Sequence, residues 1–188
     1  MKYLMPAIRF KLFMTLLLGL IYPFAMTGLA QSLFHEKANG EFVTRDGHVI
    51  GAKLIAQKFE SAKYFWPRPS AVDFNPLPSG GSNLGQASQD LKKAYDDRRT
   101  KLMAAHPMQS EEPPQELLFA SGSGLDPHIS PQAALYQMKR VAAARGLSEE
   151  KVITLIDAAT EHPKFGFLGE SIVNVLDLNL ALDKTAAL

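Results

Sequence analysis

The 188-residue chain is long enough for one domain of ordinary size with an appendage, and a composition of 46% hydrophobic and 21% charged residues excludes a disordered chain. The net charge of +1 conceals an asymmetry, because Lys2, Arg9 and Lys11 are the only charged residues before His35. Removing these three from the 20 Lys and Arg leaves 17 against 19 Asp and Glu, a balance of −2 that gives no basic face for nucleic acid. The absence of cysteine excludes a disulfide framework, a thiolate nucleophile and a cysteine-based zinc site.

The N-terminal segment is predicted to cross a membrane. No charged residue occurs from residue 12 to residue 34, and a helix needs about 20 residues to cross a bilayer core. Because the three cations precede this run, we expect a cytoplasmic N-terminus (1–11), a transmembrane helix (12–34) and an extracytoplasmic α+β domain (35–188). The alternative is a signal peptide cleaved before Gln31, after Gly28-Leu29-Ala30, which would release a secreted periplasmic enzyme or binding protein.

Small or polar residues recur every four positions along this segment, so a helix would place them in one stripe. The stripe consists of Thr15, Gly19, Pro23, Thr27 and Gln31. Small groups let a neighbouring helix approach closely, and hydroxyl or amide groups can bond across the contact. The stripe therefore predicts an interface with a partner helix in the membrane.

The first part of the domain predicts one hairpin and then loops. Asp46-Gly47 separates two β-rich runs, a pattern typical of a hairpin with a type I′ turn. Residues 54–59 suggest a short strand or a helical turn. Residues 64–70 contain two prolines, which exclude regular structure, and we expect their three aromatic rings to fix a loop to the core. Residues 76–85 have turn chemistry throughout.

Helix signals dominate the second half of the chain. Ser88 predicts the N-cap of a helix that ends at His106-Pro107, and residues 116–120 suggest a short buried strand. Ser130 and Pro131 predict the start of a helix that stops at Gly146, and Ser148 begins a second helix that ends before Pro163. These two helices would form an αα-hairpin, and the alternation over residues 173–178 predicts a final strand.

Two glycine-rich segments are candidates for cradling an anion or a nucleotide phosphate with backbone N–H groups. One is Ser79-Gly80-Gly81-Ser82. The other is formed by Ser121, Gly122, Ser123 and Gly124, and it is favoured because a helix N-terminus follows shortly. Neither contains the lysine of a phosphate-binding P-loop, so structural turns remain the competing interpretation.

Asp126 and His128 are candidates for metal ligands or for an acid–base pair. Two ligands without a third make a weak metal site, and Asp-Pro commonly sets a turn. We therefore expect neither a metal site nor catalytic residues in this chain.

Four segments, taken in order, resemble the C subunit of the bacterial Kdp high-affinity potassium-transporting ATPase. They are residues 64–71, 79–85, 120–131 and 173–182, and the resemblance covers nearly the whole chain, including the single N-terminal helix. It implies that the helix is retained as an anchor in the cell inner membrane. It also implies an accessory, non-catalytic role beside a channel-like subunit that carries potassium, a P-type subunit that hydrolyses ATP and a very small membrane subunit.

The family's C subunit is needed for assembly and activity and has been proposed to act as a catalytic chaperone that raises the ATP affinity of the P-type subunit. The resemblance thus makes ATP a possible ligand of residues 121–128, with potassium handled by the complex and no other cofactor implied. The charge pattern, however, places these residues outside the cytoplasm, where ATP is absent. We therefore expect any effect on ATP affinity to be indirect, and the slight acidic excess to favour cations near the potassium entrance.

Overall fold

The computed structural model describes residues 2–185, and the chain divides into two compact units between Ile50 and Gly51. The first unit begins with a long apolar helix built from α1 (Leu4–Leu16), a π-helical turn (Leu17–Ile21) and α2 (Tyr22–Leu33). The helix starts before the predicted span of residues 12–34, and its 30 residues are about 45 Å long at 1.5 Å per residue. The first turns can therefore extend beyond a hydrocarbon core of about 30 Å.

The π-helical turn has a local cause in Pro23. Proline has no N–H to donate, and its ring crowds the carbonyl four residues earlier, which belongs to Gly19. Just before the proline, the N–H of Tyr22 donates to the carbonyl of Leu17, five residues back. This wider turn gives the ring room while the helix continues.

The long helix ends in a short polar segment. After Phe34, α3 (His35–Ala38) is closed by Asn39, whose side chain donates to the carbonyl of His35 (2.7 Å). The same amide exchanges hydrogen bonds with Gln31 (3.1 and 3.3 Å). One member of the predicted stripe is thus bonded within its own chain.

A hairpin follows, as predicted. Strands β1 (Phe42–Arg45) and β2 (His48–Ala52) pair in a two-stranded sheet. Asp46 and Gly47 both have positive φ angles, 52° and 78°, which a type I′ turn requires. The predicted hairpin is confirmed.

The second unit combines helices with a small antiparallel sheet, which confirms the α+β class. Its helices are α4 (Gln89–Ala105), α5 (Pro131–Arg145), α6 (Glu149–Ala159) and α7 (Val175–Thr185). Its strands are β3 (His128–Ile129), β4 (Thr160–Glu161) and β5 (Ile172–Asn174), arranged in the order β3-β5-β4. Ile129 and Thr160 lie opposite Val173 on either side of the central strand. Helix α6 packs against both α5 and α7, and together they cover a core that includes Val141, Val152, Val173 and Leu178.

The predicted helix boundaries in this unit are confirmed by their caps. The hydroxyl groups of Ser88, Ser130 and Ser148 each accept a hydrogen bond from the backbone N–H three residues later. Gly146 ends α5 in the left-handed conformation (φ 66°), which a residue with a Cβ rarely adopts. Helices α5 and α6 form the expected αα-hairpin.

Two predicted elements were wrong, and a third was only partly right. Residues 54–59 form neither a strand nor a helical turn, since the chain makes a turn closed by Ile55 N–H on Ala52 O (3.3 Å) and then runs irregularly. Residues 116–120 contain no strand, because a 3₁₀ turn (Gln115–Leu117) buries Leu117 and Leu118 there instead. The predicted final strand at 173–178 is cut short at Asn174, and α7 begins at the next residue.

Candidate functional site

The two glycine-rich segments lie against each other in the second unit. Gly80 donates its N–H to the carbonyl of Ser123 (3.0 Å). A Cβ placed on Gly81 would lie 2.9 Å from the carbonyl oxygen of Gly122, so a side chain there would force the segments apart. Gly124 has a positive φ of 72°, and a Cβ on it would lie 2.7 Å from the side chain of Val72. These glycines permit a close backbone contact between the two segments.

Two of the four backbone N–H groups of the second segment, and that of the next residue, are already used within the domain. Ser121 donates to the carbonyl of Pro69 (3.0 Å), Gly124 donates to the carbonyl of Ser121 (3.3 Å), and Leu125 donates to the hydroxyl of Ser123 (3.1 Å). An anion cradle needs several neighbouring N–H groups that point at the ligand. The observed bonds give these residues a structural role in joining two loops, while anion or nucleotide binding by residues 79–82 and 121–124 stays a prediction.

Asp126 and His128 are close together, as the sequence suggested, and Arg68 joins them. One carboxylate oxygen of Asp126 accepts a hydrogen bond from Arg68 (2.9 Å), and the other accepts the backbone N–H of His128 (3.0 Å). The imidazole Nδ1 of His128 lies 3.6 Å from that second oxygen. The histidine side chain and backbone, together with the charge of Arg68, hold the pKa of Asp126 below its ordinary value despite partial burial. Asp126 is thus an ion-paired anchor at the start of β3.

A metal site at Asp126 and His128 would need at least one further ligand. Within residues 2–185, no group of three or more His, Asp or Glu side chains is placed to hold a metal ion. As arranged, Asp126 and His128 can hold a turn and an arginine.

Arg140 lies at the centre of a buried polar cluster that the sequence analysis missed. Arg140 donates to His106 Nε2 (2.9 Å), to Gln137 (2.9 Å) and to the carbonyls of Ala62 (2.7 Å) and Tyr64 (3.0 Å). Its guanidinium also stacks 4.2 Å from the ring centroid of Trp66. Burial lowers the pKa of Arg140 to about 10, so the group remains a cation at neutral pH.

His106 completes the cluster as a neutral ring. Its Nδ1 lies 2.7 Å from the carbonyl of Leu102 while Nε2 accepts from Arg140, an arrangement that fits the tautomer protonated on Nδ1. Burial, opposed by the bond to Leu102 and reinforced by the charge of Arg140, lowers the pKa of His106 to about 4. The ring is therefore neutral at neutral pH.

The irregular aromatic loop at residues 64–66 is held by amide side chains from two helices. Asn179 of α7 exchanges both backbone hydrogen bonds with Phe65 (2.8 and 3.0 Å). Gln137 of α5 does the same for Trp66 (2.8 and 3.1 Å). These amides satisfy buried backbone groups that a neighbouring strand would otherwise satisfy. In the sequence, these contacts are indicated only by an amide residue among the buried positions of each helix.

A cleft of about 230 Å³ lies beside this loop. Its lining includes the cations Lys58, Arg68, Arg98 and Lys101. Lys58 pairs with Asp73 (2.9 Å), while Arg98 donates to the carbonyl of Leu118 (2.9 Å). The lining also contains the acids Glu60 and Asp73, and Arg68 is paired with Asp126, so most of the positive charge is neutralised by neighbouring carboxylates.

Comparison with known proteins gives consistent results. A family model described as "KdpC: K+-transporting ATPase, c chain" matches residues 4–184. The chain is 47% identical over 188 residues to the potassium-transporting ATPase KdpC subunit of Geotalea uraniireducens, covering 98% of each chain. It is 48% identical to the protein of the same name from Geobacter metallireducens, covering 99% of this chain and all of that one, and 47% identical to that from Serratia proteamaculans, covering 97% and 98%.

Proposed function

The chain belongs to the KdpC family of K+-transporting ATPase c chains, and from that membership we propose that it is a single-span subunit whose folded domain lies outside the cytoplasm. It is an accessory subunit of a potassium-transporting ATPase rather than the catalytic one. Its proposed partners are the channel-like potassium subunit, the P-type ATP-hydrolysing subunit and the small membrane subunit. Nothing in the comparisons favours a secreted enzyme cleaved before Gln31.

The long N-terminal helix is the observation that carries this proposal. The helix spans Leu4–Leu33, and no part of its most apolar stretch is buried within the chain. Lys2, Arg9 and Lys11 are exposed at its start, and no acidic residue accompanies them. Basic residues flanking a span are retained on the cytoplasmic side, which favours a cytoplasmic N-terminus and an external domain in the cell inner membrane.

The same orientation determines whether the folded domain can reach ATP. The candidate phosphate loop at residues 121–124 follows the helix in the chain, so the proposed topology puts it on the side opposite to cytoplasmic ATP. Three of the N–H groups in and next to that loop are bonded inside the domain, which supports a structural role. We infer that any influence on ATP affinity passes through the membrane helices, by stabilising one conformation of the complex.

Single cysteines test the orientation directly, because the natural chain contains none. Lys151→Cys places a thiol on the exposed surface of α6, and Tyr3→Cys places one before the long helix. A membrane-impermeant maleimide added to intact spheroplasts should label Lys151→Cys, and should label Tyr3→Cys only after lysis. Labelling of Tyr3→Cys in intact cells, with Lys151→Cys protected, would reverse the proposed topology.

A further inference from the structure

The loop between β4 and β5 exposes three large apolar side chains within four residues. Phe165 is 87% exposed, Phe167 80% and Leu168 59%. We call residues 165–168, including Gly166, the aromatic tip. Single exposed apolar residues are ordinary on protein surfaces, but a contiguous group of this kind marks an interaction site.

The aromatic tip has a defined backbone shape. Lys164 and Leu168 exchange hydrogen bonds, with Lys164 N–H donating to Leu168 O (3.1 Å) and Leu168 N–H to Lys164 O (3.0 Å). Gly166 donates to the carbonyl of Pro163 (3.0 Å). These bonds close a tight turn that projects both phenylalanine rings into solvent.

The turn also holds Phe165 in an unfavourable conformation. Phe165 and Gly166 both have positive φ angles, 56° and 79°. Glycine adopts this region freely and Asn or Asp adopts it readily, whereas a bulky side chain is strained there. Folding gains little from the ring of Phe165, because it is almost fully exposed. A strained residue without an internal contact points to a role in binding.

We propose that the aromatic tip docks into an apolar socket on another membrane subunit of the same potassium-transporting ATPase. The inference rests on the proposed function, in which this chain is assembled with such subunits. Aromatic side chains are frequent energetic anchors of protein interfaces, and a turn already held in one shape loses little freedom on docking. Lys164, next to the tip, would lie at the polar rim.

A lipid bilayer is the alternative occupant, and two observations disfavour it. A fluid bilayer accepts an aromatic ring from many backbone conformations, so a strained and hydrogen-bonded turn offers it no advantage. The tip is also flanked by two acids, Glu161 at the end of β4 and Glu170 in the loop, and by one cation, Lys164, whereas segments that bind membrane surfaces are usually rich in cations.

Photo-crosslinking from the aromatic tip tests whether it contacts another subunit or lipid. p-Benzoylphenylalanine, a photoreactive phenylalanine with a benzoyl group on its ring, replaces Phe167 in the assembled complex in native membranes. Met108, which is 52% exposed elsewhere in the domain, is replaced in the same way as a control. Irradiation should join position 167, and not position 108, to one other subunit of the ATPase. Adducts with phospholipid, or no adduct above that at position 108, would overturn the proposal.

A substitution that relieves the strain provides a second test. Phe165→Asn suits the left-handed conformation, so the full chain should melt at the same temperature or higher. Its retention by the other subunits during purification should fall by about tenfold, while Met108→Asn retains the wild-type level. Undiminished retention of Phe165→Asn would contradict docking. If the wild-type chain does not copurify with the other subunits, both the proposed function and the docking inference fail. If only the tip variants fail to copurify, the docking inference is supported and the proposed function stands.

Discussion

His106 is enclosed between α4 and α5, where it accepts a hydrogen bond from Arg140 and contacts the ring of Tyr136. Its side chain is 3% exposed, so protonation would place a second cation beside a buried guanidinium. The pKa of His106 falls from 6.5 to about 4 in the folded protein. The unfolded chain therefore binds a proton that the folded chain does not bind between these two pH values.

This difference predicts a stability that depends on pH. The contribution of neutral His106 is fully present above pH 6.5 and is lost as the pH falls from 6.5 towards 4. From the linkage relation, the free energy of unfolding should be about 2 kcal/mol lower at pH 5 than at pH 7.5. Urea unfolding of the full chain in detergent, followed by the fluorescence of its single tryptophan, Trp66, measures the change.

Two variants separate this residue from the other titrating groups. His106→Gln keeps an acceptor for Arg140 but does not titrate, so the loss between pH 7.5 and pH 5 should largely disappear. His162→Gln alters an exposed histidine and should retain it. An equal loss of stability in wild type and His106→Gln would assign the pH dependence to other residues.

The aromatic loop at residues 64–66 shows which properties of single residues could be predicted from the sequence. The two prolines of residues 64–70 correctly excluded regular structure, and Phe65 is buried as expected. The identity of the groups that bond its backbone was not predictable, because Asn179 lies 114 positions away along the chain. A buried amide in a helix signals that a partner exists, but it does not say which backbone it serves.

Among the elements, helices with local end signals and the hairpin with its Asp46-Gly47 turn were predictable, whereas the two- and three-residue strands of the second unit were not. Ser130 and Gly146 define α5 through bonds within a few residues, so the sequence contains the whole signal. The segment after Val173 fits two patterns, since Val175, Leu178 and Leu182 also have helical spacing. Asn174 decides between them, because its side chain accepts the N–H of Asp177 and caps α7.

The stripe on the long helix gives a prediction at the same scale. A Cβ on Gly19 would meet only the side chain of Thr15, at 3.9 Å, so a larger residue has room within this chain. Gly19→Leu should leave the folded domain intact but push a partner helix away at the point of closest approach. Copurification of the other ATPase subunits with a tagged chain should then decrease several-fold, as expected for a loss of about 1 kcal/mol or more.

Leu17→Val is the matched control, because it changes an apolar residue outside the stripe by one methylene group. It should copurify at the wild-type level. If both variants retain the partner subunits equally, the stripe is not an interface. Thr15, Pro23 and Thr27 would then be ordinary residues of a single-span anchor, and Gln31 is already bonded to Asn39.

At the scale of the whole molecule, the sequence predicted an α+β fold with one apolar N-terminal helix, and both are confirmed. The membership in the potassium-transporting ATPase family, inferred from four segments, is also confirmed. The strand order β3-β5-β4 was not predictable, because strands of two or three residues contain no periodic signal. Their pairing depends on the helices that cover them.

In the proposed topology, the membrane separates the folded domain from cytoplasmic ATP. A folded domain does not cross about 30 Å of hydrocarbon, so an external domain can alter ATP affinity only through the membrane helices. The hydrogen bonds of this region agree with this view, since the N–H groups of Gly80, Ser121 and Gly124 already donate to carbonyl groups of the domain. Residues 121–128 would then be required for the shape of the domain and not for nucleotide binding.

Photolabelling with an azido-ATP analogue tests this claim most directly. The assembled complex is sealed in vesicles with nucleotide supplied only on the cytoplasmic face, and a second sample is permeabilised so that nucleotide reaches both faces. We predict label on the ATP-hydrolysing subunit in both samples. We predict no specific label, meaning label that excess ATP competes away, on residues 121–128 in either sample. Label on residues 121–128 in the sealed vesicles, competed by ATP, would contradict the external position of the domain. The same label only after permeabilisation would contradict its structural role.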